Sequence, residues 1–345
     1  MSELSTAFVA PYGGRFPTFR SAPTFVGHGA AVLGRATIGK GAWLGAGSVI
    51  RADGHDIDIG DDFHLGVGAT VHIAHDIYPT RIGNNVTAGE GAVIHACTVG
   101  DDCVIGAGTV VLDATVIGPG AVLAAGSVVF PRSTLEGGWL YSGSPAKPVA
   151  RVTPTELASW QRKARTGLGA SAPSLAPKPG LTCFVAPSAS ISGTVIVGDE
   201  VGIWYGCRLD AGTHAIHVGS GSNIQDNSVL CCEGGDIVIG EDVTIGHNVT
   251  LSDCRVAPRS LVGIGARIAP GTEVESDVLV AAGAETEPGQ RLGAGKIWGG
   301  RPARAIAEMT ETRREMMAAT LPTYRTYAAA FRATPHDELS QIKEE

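Results

Sequence analysis

Residues 81–127 run RIGNNV, TAGEGA, VIHACT, VGDDC, VIGAGT, VVLDAT, VIGPGA, VLAAGS, with an aliphatic residue returning about every six positions and glycine often close behind it. Neither the 3.6-residue period of an amphipathic helix nor the two-residue alternation of a half-buried strand explains this run. A six-residue period predicts one short strand and one turn per unit, stacked into a solenoid. The aliphatics point inward to fill a narrow core, and Gly or Asn supplies the turn conformations that need positive φ. The register extends upstream through FVGHGA, AVLGRA, TIGKGA, WLGAGS and VIRADG at residues 25–54, and a loop at Tyr78-Pro79 interrupts it.

Downstream, the prolines of WLYSGSPAKPVARV (139–152) stop the strands. PTELASWQRKARTG (154–167) reads as a helix capped by Thr153, opened by Pro154 and ended by Gly167. SAPSLAPKPG is a proline-rich linker. The plan then repeats from FVAPSASISGTVIVGDE (184–200) to IWGGRPARAIAEM (297–309), where GGRPARAI echoes SGSPAKPV. A longer helix is expected over 310–334, packed on its own solenoid or a neighbouring subunit, followed by a polar tail that frays. The predicted organisation is an all-β solenoid in two tandem domains, each a parallel β-helix of hexapeptides with a terminal helix. They occupy 1–170 and 183–345, joined by a linker at 171–182.

Composition narrows the classes of function. The 345 residues include 48 glycines without collagen's strict period of three. A net charge of −8 and the absence of a dense Lys/Arg run argue against nucleic acid or an anionic membrane as partner. Seven cysteines without a CxxC spacing, no signal-peptide pattern at the start and no long apolar run suit a reducing cytoplasm.

A repeat scaffold needs no histidines at fixed places, yet Arg51–Cys97 holds Arg51, Asp53, His72, Glu90 and His95. The pattern of R-x-D, N-I-Q-D, a first histidine and then I-G-H followed by H-x-C resembles the gamma-class carbonic anhydrase-like branch of the left-handed β-helix proteins. Each half carries part of it. The N-terminal copy keeps Arg51 and Asp53, with His72 at the first metal histidine and His95 at the last. Its middle histidine is replaced by Glu90, and His64-Leu65-Gly66-Val67 stands where the family has N-I-Q-D. The C-terminal copy retains Asn223-Ile224-Gln225-Asp226 and His247, but has Cys231 and Ser252 in place of the other two histidines. Its Arg208-Leu209-Asp210 has the R-x-D form two residues early.

The resemblance implies trimeric or pseudo-trimeric homo-oligomers with zinc, or alternatively iron, between neighbouring faces. Two ligands come from one face and one from the next. The losses in the two copies are complementary, so His72, His95 and His247 would rebuild a three-histidine site with an open fourth position, as catalytic zinc uses. An N-domain trimer would instead make Glu90 the third ligand, and two histidines with a carboxylate also bind zinc or iron. Both arrangements stay open from the residues alone. The implied reaction is attack by metal-bound hydroxide on carbon dioxide, or on another small electrophile, at a subunit or domain interface. By the same resemblance Arg51 and Asp53 support the interface and orient site residues, Gln225 hydrogen-bonds the metal's water, and His75 and Glu90 pass protons. Two other classes compete: an acyl-CoA transferase or thioesterase of the hexapeptide class, and a catalytically silent scaffold.

Overall fold

The computed structural model describes residues 7–165 and 182–334 together with the backbone of Asp337–Glu338. The expectations of a helix stop at Gly167 and a linker at 171–181 lie outside the described residues, as does most of the polar tail. The chain divides into two compact units, Met1–Ala172 with Thr334–Glu345, and Pro173–Ala333. Each is a parallel β-solenoid whose coils stack strand over strand in register.

In the first unit three inward columns fill the core, one per face. Leu44, Leu65, Ala88, Ile105 and Leu123 stack on one face. Val71, Ile94, Val111 and Val129 stack on the second, and Ile59, Ile82, Val99, Ile117 and Leu135 on the third. All are buried. The six-residue period is thus the length of one side, and three sides make a coil. Two long strands, Ala31–Ile38 and Val49–Ile59, run round a corner and belong to two faces at once. Glycine after the aliphatic has a steric cause: a Cβ on Gly106 would stand 2.6 Å from Ala125 N in the next coil. Asp337–Glu338 pairs antiparallel with Phe8–Ala10, so this piece of the tail extends a sheet of the first unit.

The second unit repeats the plan, with Ile203, Ile224, Ile245, Val262 and Val280 forming one of its columns. Both solenoids close with an antiparallel hairpin, Trp139–Ser142 with Lys147–Arg151 and Lys296–Gly299 with Arg304–Glu308. The matching Gly-x-Pro-Ala segments form the hairpin turns, so the fold itself accounts for them.

Helix α1 (Pro154–Arg165) opens with a reciprocal capping box, Thr153 N to Glu156 Oε2 at 2.8 Å and Glu156 N to Thr153 Oγ1 at 3.3 Å. Helix α2 (Glu311–Arg332) buries Met317, Leu321, Tyr324, Tyr327 and Phe331, spaced to lie along one stripe. That stripe packs on the second unit's own Phe184, Trp204 and Tyr205. No helix among the described residues is long and apolar enough to cross a membrane.

All seven cysteines are free and only Cys231 is partly exposed. Burial pushes the Cys103 and Cys254 thiols up to about 12 and Cys97 higher still. A thiol reagent at pH 8 should therefore label Cys231 rapidly and the other six only after denaturation. Fast labelling of more than one thiol in native protein would contradict the packing.

Candidate metal centre

In the first unit Arg51, His72 and His95 stand one above another on adjacent strands. Their register follows from the inward column: Ile50, Val71 and Ile94 point into the core, so the next residue on each strand points out. The outward side chains form a continuous row. Arg51 pairs with Asp53, and both are fully buried. Asp53 Oδ1 lies 3.1 Å from His72 Nε2. His72 Nδ1 lies 3.2 Å from His95 Nε2, and His95 Nδ1 lies 2.6 Å from Asp113 Oδ1. The row runs from a fully buried end to an open edge, where the Asp113 side chain is 41% exposed.

The two flanking carboxylates assign the tautomers. An imidazole nitrogen facing a carboxylate carries the proton, so His72 is protonated on Nε2 and His95 on Nδ1. The nitrogens left over, His72 Nδ1 and His95 Nε2, then present lone pairs to each other across 3.2 Å. Such a contact is repulsive unless a proton or a metal cation is shared between the two nitrogens. Two nitrogens on one tetrahedral zinc, each at about 2.0–2.1 Å, stand about 3.3 Å apart. The donor pair therefore fits a first-row metal.

In the second unit the same ladder is built from Asp210, Cys231 and Ser252. Asp210, the last residue of Arg208-Leu209-Asp210, thus occupies the rung that Arg51 holds, and Gly212 the position of Asp53. This R-x-D is displaced by two residues and does not form the buried pair: Arg208 is exposed, Asp210 is half-buried, and they stand 3.9 Å apart. Asp210 instead accepts from Ser192 Oγ and Gly212 N. His247 is buried, with Nδ1 3.1 Å from Asp226 Oδ2 and Nε2 3.4 Å from the Tyr324 hydroxyl on α2. Tyr205 N donates to the other Asp226 oxygen at 3.1 Å, which holds the carboxylate in place. Glu90 and Val67 are the first unit's counterparts of His247 and Asp226, since Gly91 N and Asn248 N make matching bonds to Val67 O and Asp226 O.

Of the residues singled out from sequence, Arg51, Asp53, His72 and His95 come together in one row. His75 sits half exposed on the bend at Ala74–Tyr78, beside Asp76. Glu90 is exposed on a turn, and Gln225 is buried at 5% exposure next to Asp226. Sequence reasoning missed Asp113, the role of Asp226 and the approach of Tyr324 to His247. A signal for Asp113 existed: it follows His95 by 18 residues, about the length of one coil.

Family models described as "Bacterial transferase hexapeptide (six repeats)" match residues 79–113 and 97–131, and "Hexapeptide repeat of succinyl-transferase" matches 35–72. The chain is similar to gamma carbonic anhydrase 1, mitochondrial, of Arabidopsis thaliana, 37% identical over 167 residues, 46% of this chain and 61% of that protein. It is 32% identical over 136 residues to a carbonic anhydrase of Geobacillus kaustophilus, covering 39% of this chain and 75% of the relative. Protein YrdA of Escherichia coli is 33% identical over 145 residues, 40% of this chain and 79% of YrdA. The chain spans 49–61% of the length of the three Arabidopsis relatives. A Desulfovibrio desulfuricans G20 protein, provisionally assigned as an acetyltransferase, superposes with TM-score 0.57 over 97% of this chain and 87% of its own, at 16% identity. That likeness concerns the fold alone.

Proposed function

Because the chain belongs to the gamma-carbonic-anhydrase-like family of hexapeptide-repeat proteins, we propose that it is a metal-dependent lyase or hydrolase acting on carbon dioxide or another small electrophile. The observation that carries this reading is the pair of histidine nitrogens, His72 Nδ1 and His95 Nε2, 3.2 Å apart, with a carboxylate on the far nitrogen of each ring. His247 is the proposed third ligand through Nε2, with Glu90 the alternative, and zinc the proposed metal, with iron the alternative. Each histidine has a carboxylate on its outer nitrogen, an arrangement that orients metal-bound imidazoles and raises their basicity. In the copy that lacks a given histidine the carboxylate is missing too: Cys231 goes with Gly212, and Glu90 with Val67. When bound, the metal would act as a Lewis acid and bring the ionisation of its water near pH ~7.

The remaining roles fall to the chain. Buried Arg51 and Asp53 would hold His72, Gln225 would hydrogen-bond the metal's water, and exposed His75 and Glu90 would exchange protons with solvent. An N-type and a C-type face, of one chain or of neighbours in a homo-oligomer, would have to supply ligands jointly for the His247 set. Seven thiols without a disulfide support a reducing compartment such as the cytoplasm.

Elemental analysis of protein purified without chelators should find near-stoichiometric zinc or iron, and stopped-flow measurement should find carbon dioxide hydration that depends on it. His247→Ala should then lose the metal while Glu90→Ala keeps it, and the reverse result would select Glu90. Metal-free, inactive wild-type protein that also fails to take up added metal would end this reading.

A further inference from the structure

We propose that Asp113 is a positioning residue of the metal centre: its carboxylate holds His95 as the Nδ1–H tautomer and thereby presents Nε2 as the ligand atom. The proposal rests on the metal reading above and deepens it.

The first observation is the contact itself, His95 Nδ1 to Asp113 Oδ1 at 2.6 Å, a short hydrogen bond of an imidazole to a carboxylate. An imidazole at a half-open edge exchanges its proton between both nitrogens, and the ring can turn about its stem. A carboxylate on one nitrogen stops both.

The second observation is what the same turn contains where the histidine is gone. His95 is matched in the second unit by Ser252, and Asp113 by Pro270. The backbone is equivalent: Ala114 N bonds Ala96 O at 2.8 Å, and Gly271 N bonds Asp253 O at 2.8 Å. Ala114 and Gly271 both have positive φ, 56° and 74°. A turn that accepts proline at this position does not require a carboxylate to form. The carboxylate therefore serves the histidine rather than the solenoid, and it is absent from the copy without one.

The third is its openness. Asp113 is exposed enough that its removal leaves no cavity and no buried unpaired charge, which makes it a clean test position.

The test uses the full chain with Asp113→Ala and Asp113→Glu. Long-range nitrogen–proton NMR reports the His95 tautomer in metal-free protein, and chelator competition gives the zinc dissociation constant. In Asp113→Ala the Nδ1–H signature should disappear and zinc binding weaken about 10–100-fold, with the melting temperature of metal-free protein unchanged. Asp113→Glu should restore the signature and most of the affinity. Retention of the Nδ1–H form in Asp113→Ala would overturn the proposal, as would weakened zinc binding with an unaltered tautomer. Should wild-type protein take up no zinc, the metal reading fails, and the tautomer measurement still decides the role of Asp113.

Discussion

His72→Ala and His95→Ser should each reduce bound metal to background and abolish carbon dioxide hydration with it. The expected loss exceeds the 10–100-fold that follows when only a hydrogen-bonding partner of a ligand is removed, because a donor atom is lost outright. Neither change should unfold the protein. In the second unit Cys231 and Ser252 occupy these same rungs within an intact ladder, so small side chains are accommodated there. Metal content by elemental analysis is one readout and thermal stability another. Wild-type protein should gain about 2.7 kcal/mol at a free metal concentration 100 times Kd, since only the folded chain presents the site. The variants should gain nothing. Metal retained by both variants at wild-type stoichiometry would place the ion elsewhere and remove the basis of the proposed function.

The largest loss of stability is expected from Arg51→Met. Arg51 and Asp53 are both fully buried and paired with each other. Deleting the guanidinium leaves the buried Asp53 carboxylate without its cation, beside His72 Nε2 at 3.1 Å. Breaking a buried pair from one side costs about 3–5 kcal/mol, whereas replacing both partners with apolar groups is often neutral. Arg51→Met with Asp53→Leu should therefore recover most of the stability lost in the single variant, as read from urea midpoints. The second solenoid supports this: it places Asp210 and Gly212 at these positions and folds with no buried ion pair there. The double variant should nonetheless bind metal poorly, because His72 has lost the carboxylate that fixes its tautomer. A single variant as stable as wild type would show that the pair is not held buried and charged. The reading would also fail if the double variant bound metal normally.

Much of the architecture is legible without coordinates because a solenoid is a one-dimensional object. The six-residue period of residues 81–127 already specifies which side chains point inward, and Ile82, Ile94 and Val99 are where that period puts them. The helices follow from local chemistry, such as the Thr153 and Glu156 pair that opens α1. His72 and His95 were legible as a site because nothing in a hexapeptide core calls for imidazole. Arg208-Leu209-Asp210 shows where motif reading stops. Its spacing is that of Arg51 and Asp53, but the neighbouring coil sets its register, and stacking shifts it by two residues.

The sequence by itself determined the repeat, the duplication and the complementary retention of His72 and His95 in one copy and His247 in the other. Only the tertiary structure decided which nitrogen of each ring is available. That choice depends on carboxylates far along the chain: Asp53 lies 19 residues before His72, Asp113 18 residues after His95, and Asp226 one coil before His247. Coil stacking brings each carboxylate to the outer nitrogen of its histidine. At His72 and His95 a hydrogen bond to the carboxylate favours the proton on that nitrogen, because it is stronger than one to water, and the opposite nitrogen is then the one with a lone pair.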